Sequence, residues 1–153
     1  MLPDLPDYER FIYSLRQQYA SIRGTTLIVI RQGPAFAELT GTLIFDDEIV
    51  LEVGEDLNFN TRTIQGYGYA VSRRGERLYW YDSQPHPNDP TLASTHPHHK
   101  HVPPDIKHHR IPAPGMSFTK PNLPFLIEEI QAMLDRAGTD TLIVQAIAAE
   151  LDG

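Results

Sequence analysis

The sequence has 153 residues and no cysteine, with 41% hydrophobic and 22% charged residues and a formal net charge of −7. Such a length and apolar content suit one domain with its own core and exclude wholesale disorder; the missing thiols exclude disulfides and cysteine metal sites. The acidic balance argues against indiscriminate nucleic-acid binding, because a negative field repels phosphates. Met1-Leu2-Pro3-Asp4 has neither the basic nor the apolar region of a secretion signal. No apolar run approaches the ~18 residues of a membrane span. The expectation is a soluble, cytoplasmic, single-domain protein, with a scaffold over residues 5–83 and 121–151 and a functional loop at 84–120.

Asp4-Leu-Pro-Asp7 reads as a helix start, and Phe11, Ile12, Leu15, Tyr19 and Ile22 recur at helical spacing until Gly24. Leu27 to Ile30 is a short β-branched strand, and Gln32-Gly33-Pro34 breaks it. Phe36–Phe45, Ile49 onward with its alternating Leu51 and Val53, Asn60–Ser72 and Glu76–Asp82 follow with short turns. Strands in that sequence imply an antiparallel meander. Gly66 and Gly68 strip one face of their strand, so either a ligand or a packed helix can come close. In the next strand Leu78 and Trp80 are expected to face the core, and Tyr79 and Tyr81 to face outward beside the loop. Asn122 is expected to cap a helix ending at Gly138, and Thr139 or Asp140 to start a last short one.

All seven histidines lie between His86 and His109, and ten of the thirteen prolines between Pro85 and Pro124. Packing gives no reason for that concentration, and connections this long are usually functional or disordered. The segment 91–120 carries +3, so the remainder carries −10. Two chemical readings stand beside that of a plain solvated loop. In the first, His96, His98, His99 and His101 hold zinc or nickel, with a further ligand from Asp82, His86 or Asp89. In the second, His98 and His101 are acid and base in the cleavage of RNA by its own 2′-hydroxyl, and Lys100 stabilises the phosphoryl charge. Lys107 or Arg110 then grips a flanking phosphate, His86, Tyr79 and Tyr81 line the substrate side, and Asp82 and His99 support the loop.

Asp82-Ser-Gln-Pro-His86 followed by Pro97-His98-His99-Lys100-His101-Val102 resembles the signature of the TumE-type toxins of bacterial toxin–antitoxin pairs. Pro103 to Lys107, Arg110 to Gly115 and Asn122 to Leu126 resemble a longer, cyanobacterial-like branch. Ser83 stands where that pattern has asparagine, and His96 where it has phenylalanine. The resemblance implies a growth-inhibiting protein neutralised by a helix-turn-helix antitoxin, with a nuclease-like activity.

The reading that results is an α+β fold with one N-terminal helix, an antiparallel sheet of about five strands, the Pro/His-rich loop and C-terminal helices. Functionally it is a toxin-type, metal-independent endoribonuclease, cofactor-free and able to form a homodimer. The alternative is a non-catalytic protein whose loop holds a metal, an acidic partner or a nucleic acid.

Overall fold

The first helix starts where its cap predicts. The Asp4 carboxylate accepts from the Asp7 amide at 2.9 Å, and Pro6 sits in the first turn. The computed structural model describes residues 1–152. Its helix α1 (Leu5–Tyr13) buries Leu5, Tyr8 and Ile12, and α2 (Leu15–Gln18) buries Leu15. One longer helix was expected. Ser14 interrupts it, its amide bonding the Arg10 carbonyl and its hydroxyl bonding that of Phe11.

The sheet holds eight strands rather than five: β1 (Gly24–Thr25), β2 (Ile28–Gln32), β3 (Phe36–Ile44), β4 (Ile49–Asn58), β5 (Thr63–Arg73), β6 (Glu76–Asp82), β7 (His99–His101) and β8 (Arg110–Pro112). All pairings are antiparallel. The sheet runs β1-β3-β4-β5-β6-β7-β8, with β2 continuing along the same partner as β1. Two of the additional strands come from the segment read as loop. The other is an edge strand cut in two: Thr26 and Leu27 leave the ladder opposite Gly41, whose φ is +133°. A Cβ there would lie 2.6 Å from the Thr26 carbonyl oxygen.

Alternation puts Leu39 and Leu43, Leu51, Val53, Glu55 and Leu57, and Tyr69 and Val71 on the inner face, all buried. The fully buried Glu55 accepts from the hydroxyls of Tyr8 and Tyr69. Tyr69 also accepts from the Asn122 amide at 3.1 Å. Asn122, expected to cap a helix, thus closes the turn before it, bonding the Ser117 amide at 2.9 Å and carbonyl at 3.0 Å.

The phase of β6 differs from expectation. Ser72 pairs with Arg77 but Val71 with Tyr79, so Leu78 is the extra residue of a bulge. One inserted residue exchanges the faces. Tyr79 and the buried Tyr81 therefore point inward opposite Val71 and Tyr69, while Trp80 and Asp82 point outward.

From Leu123 the chain forms a single helix, α3 (Leu123–Asp152), where two were expected. Gly138 costs helix stability but does not end it. Thr139, read as a cap, donates its hydroxyl to the Asp135 carbonyl at 3.0 Å, and Thr141 to that of Ala137 at 2.9 Å. Leu123, Leu126, Ile127 and Ile130 are buried; Leu142, Ile143, Val144, Ile147 and Leu151 are exposed. No helix among the described residues is long and apolar enough to cross a membrane.

Gly41→Ala is expected to lower unfolding free energy by about 1–3 kcal/mol from its backbone conformation alone, read from urea melts. A second expectation concerns Glu55. Burial raises its pKa, against the hydrogen bonds of Tyr69 and Tyr8, which lower it. The fold therefore binds this proton more tightly than the unfolded chain does. That stabilisation is complete below the ordinary glutamate pKa of about 4.3 and is lost as pH rises through the folded value. Urea melts across this range should show the parent losing stability relative to Glu55→Gln as pH increases.

Candidate functional site

The bulge at Leu78 and the pairing of β7 decide which side chains meet. Trp80 opposes His101, Tyr81 opposes Lys100 and Asp82 opposes His99; on the far side His101 opposes Arg110 and His99 opposes Pro112. Alternation therefore gathers Trp80, Asp82, His99, His101 and Arg110 on the outer face and sends Lys100 to the inner one. The chain between Ser83 and His98 folds over this outer end. Its 3-10 turn Pro90–Leu92 buries Leu92, and the Thr95 hydroxyl accepts from the Ala113 amide at 3.2 Å.

At the centre is the Asp82 carboxylate. Its Oδ1 lies 2.6 Å from His99 Nε2 and accepts from the Gln84 amide at 3.1 Å. Its Oδ2 lies 3.2 Å from His101 Nε2 and accepts from the Trp80 indole at 3.3 Å. Both imidazoles are fixed from behind: His99 Nδ1 donates to the Pro97 carbonyl at 3.0 Å, and His101 Nδ1 to that of Ile106 at 3.1 Å. A carbonyl only accepts, so each ring keeps its Nδ1 proton and turns Nε2 toward Asp82. The two Nε2 atoms are 3.1 Å apart. Trp80 stacks on His101 with centroids 4.0 Å apart, and His86 meets His99 edge-on at 4.6 Å.

Burial opposes charge throughout the cluster, and partners decide the outcome. For Asp82 burial is outweighed by the hydrogen bond and charge of His99, the Gln84 amide and the charge of His101, which together hold its pKa down to about 2. His99 also resists burial: the Asp82 hydrogen bond, the Pro97 carbonyl and the Asp82 charge raise its pKa. Burial prevails at His101, whose pKa is lowered. At His86 burial lowers it too, helped by the charges of Arg110 and His99.

Asp82 also borders a depression of about 340 Å³ on the outer face, floored by Gly54, Gly68 and Ala70 and flanked by Trp80, Glu52 and Arg77. No described atom lies within 4 Å of where a Gly68 Cβ would be. The stripped strand face is therefore open at this point. A second depression, of about 320 Å³, is lined by His86, Asp89 and His96 among others.

The other residues singled out in the sequence are dispersed. His98 faces away from Asp82: its Nδ1 is 2.6 Å from the Tyr67 hydroxyl and its ring packs on Phe118. Lys100 Nζ lies 4.2 Å from the Tyr79 ring centre and 5.0 Å from that of Tyr81, on the inner face. His98 and Lys100 are thus on the opposite side of the sheet from His101. His96 and Lys107 are exposed. Arg110 is half-buried, with its Nη1 3.8 Å from Asp89 and its buried Nε without a partner among the described residues. Ser83 stands beside this assembly, its hydroxyl accepting from the Tyr67 amide at 3.0 Å and so extending the β5–β6 ladder.

A strand of the form Trp80-x-Asp82, paired with a strand His99-x-His101, unites these residues. The family model described as Toxin TumE matches residues 13–134. The chain belongs to the TumE toxin family. No curated protein and no solved structure gives a significant match. The TumE match spans the sheet, both outer-face histidines, Asp82 and the first part of α3. Membership of a toxin family supports a toxin role and points to an antitoxin partner.

Sequence reasoning treated His99 as a support and Trp80 as core; their place on the outer face follows only from the bulge and the β6–β7 register. Asp82→Ala removes the acceptor of the Trp80 indole and the Gln84 amide and the partner of two buried imidazoles. It should cost about 1.5–3 kcal/mol of unfolding free energy in urea melts.

Proposed function

We propose that this chain is the toxin of a type II toxin–antitoxin pair, held in check by a helix-turn-helix antitoxin, and that it acts as an endoribonuclease. The observation that carries the reading is the position of Asp82, which holds two oriented imidazoles and at the same time borders an open, glycine-floored depression. Cleavage by RNA's own 2′-hydroxyl needs a group that takes its proton, a cation at the phosphoryl oxygens and a surface for the base. Trp80 and the glycine floor are the surface, and an aromatic face beside a flat strand suits a stacked nucleobase. Arg110 is the cation: it opposes His101 across the ladder and its side chain is partly exposed. The 2′-hydroxyl proton goes to the bare Nε2 of His101 as the 2′-oxygen attacks phosphorus, and the 5′-oxygen takes a proton from water as its bond to phosphorus breaks. In this arrangement His98 and Lys100 belong to the inner face and shape β7, while His86 stands at the rim where a phosphate arrives.

A non-catalytic reading draws on a different observation. His99 is 0% and His101 5% exposed, as befits groups that hold the chain between β6 and β7 in place. End-labelled RNA incubated with the purified protein separates the two. Cleavage that falls by roughly 10²-fold in Arg110→Ala supports the nuclease reading, on the scale of losing one stabilising donor. The same substitution should relieve growth inhibition on expression. Absence of cleavage by the parent protein, with growth inhibition intact, would transfer the reading to a binding toxin.

A further inference from the structure

Around Asp82 the lone pairs outnumber the protons available to bridge them. His99 and His101 both keep Nδ1–H for a backbone carbonyl, so in their neutral forms both Nε2 atoms are bare. Those atoms lie 3.1 Å from each other and 2.6 and 3.2 Å from the two carboxylate oxygens. One proton can bridge one of these pairs and leaves the others facing lone pair to lone pair. A metal ion resolves all of them together. Two ligands ~2.0 Å from a tetrahedral ion are roughly 3.3 Å apart, close to the spacings seen. His86 completes the set: a ring nitrogen of His86, His99 and a carboxylate oxygen of Asp82 lie within 4.8 Å of one another.

We propose that Asp82, His86 and His99, with His101 beside them, bind a first-row transition dication of the zinc class. The donor types select it, since imidazoles favour zinc, nickel and copper whereas magnesium and calcium take oxygen. The surroundings fit as well. In metal sites the second ring nitrogen of a ligating histidine commonly donates to a backbone carbonyl, and ligating carboxylates accept outer hydrogen bonds. Here Pro97 and Ile106 supply the carbonyls, and Gln84 and Trp80 the donors. His86 is half-buried and lines the second depression, which offers the ion a way in. The inference stands on this cluster alone and does not depend on RNA being the target.

The test is calorimetric titration of the chelator-stripped full chain with Zn²⁺, together with Co²⁺ absorption spectra. One equivalent should bind, with the visible bands of low-coordinate cobalt. His86→Ala, whose loop position lets the variant fold, should weaken binding at least about 10-fold. Asp82→Asn, with its fold checked by circular dichroism, should do the same. A triple variant with His96, His108 and His109 changed to alanine should bind as the parent does. Lack of stoichiometric binding would overturn the site. So would binding abolished in the triple variant and untouched by His86→Ala, which would assign the ion to exposed histidines. Because no RNA is present, this outcome is read separately from that of the cleavage assay.

Discussion

Asp82 is the residue on which the far half of the sheet depends. It ends β6, and from that position its carboxylate engages two imidazoles of β7, an indole of its own strand and the amide of Gln84 as the chain leaves the sheet. A strand of three residues, at the short end of the usual range, has few ladder hydrogen bonds to hold its place. Charge-assisted contacts to a half-buried carboxylate are stronger than neutral ones, and they tie β7 to β6 where the ladder is weakest. The same contacts turn the rings, so the part that fastens the strand also shapes the site.

The placement of Asp82 rests in turn on one extra residue. Without the bulge at Leu78, β6 would pair regularly and its faces would be exchanged, with Trp80 and Asp82 in the interior and the tyrosines outside. The bulge removes that conflict. Tyr81 joins the buried ring of Tyr69, and the polar pair Trp80 and Asp82 is left to meet β7. Core and site are thus alternate faces of a single strand, and they cannot be varied independently.

Much of this architecture was legible from residue pattern. The Asp4 cap, the alternation from Ile49 through Val53 and the turn chemistry between strands gave the helix–meander order, the starts of β3 and β4 and both ends of β6. The segments carrying Asp82 and the His-x-His pair were likewise visible, because so many imidazoles in one connection have no packing explanation. What escaped was long-range. No local signal in His99-Lys-His101 or Arg110-Ile-Pro112 marks a strand, since two strands of three residues exist only because β6 offers them an edge. The division of the histidines followed from the same gap. His98 precedes the strand and turns to Tyr67 on the inner face while His101 turns to Asp82 on the outer one, so the two could not share a site once pairing was established. Gly138 misled in the other direction: an isolated glycine weakens a helix by about 1 kcal/mol relative to alanine without ending it.

The sheet's last strand has a meaning beyond its three residues. Edge strands invite other chains to add on, and prolines are one of the means by which proteins prevent it. β8 ends in Pro112, which has no amide hydrogen to share, and Pro114 follows two residues later. By standing outside β7, β8 makes the histidine strand an interior one and leaves a proline-blunted edge on that side. The histidine strand thus has its backbone paired on both sides, and its imidazoles are set by two neighbouring strands rather than by an open edge.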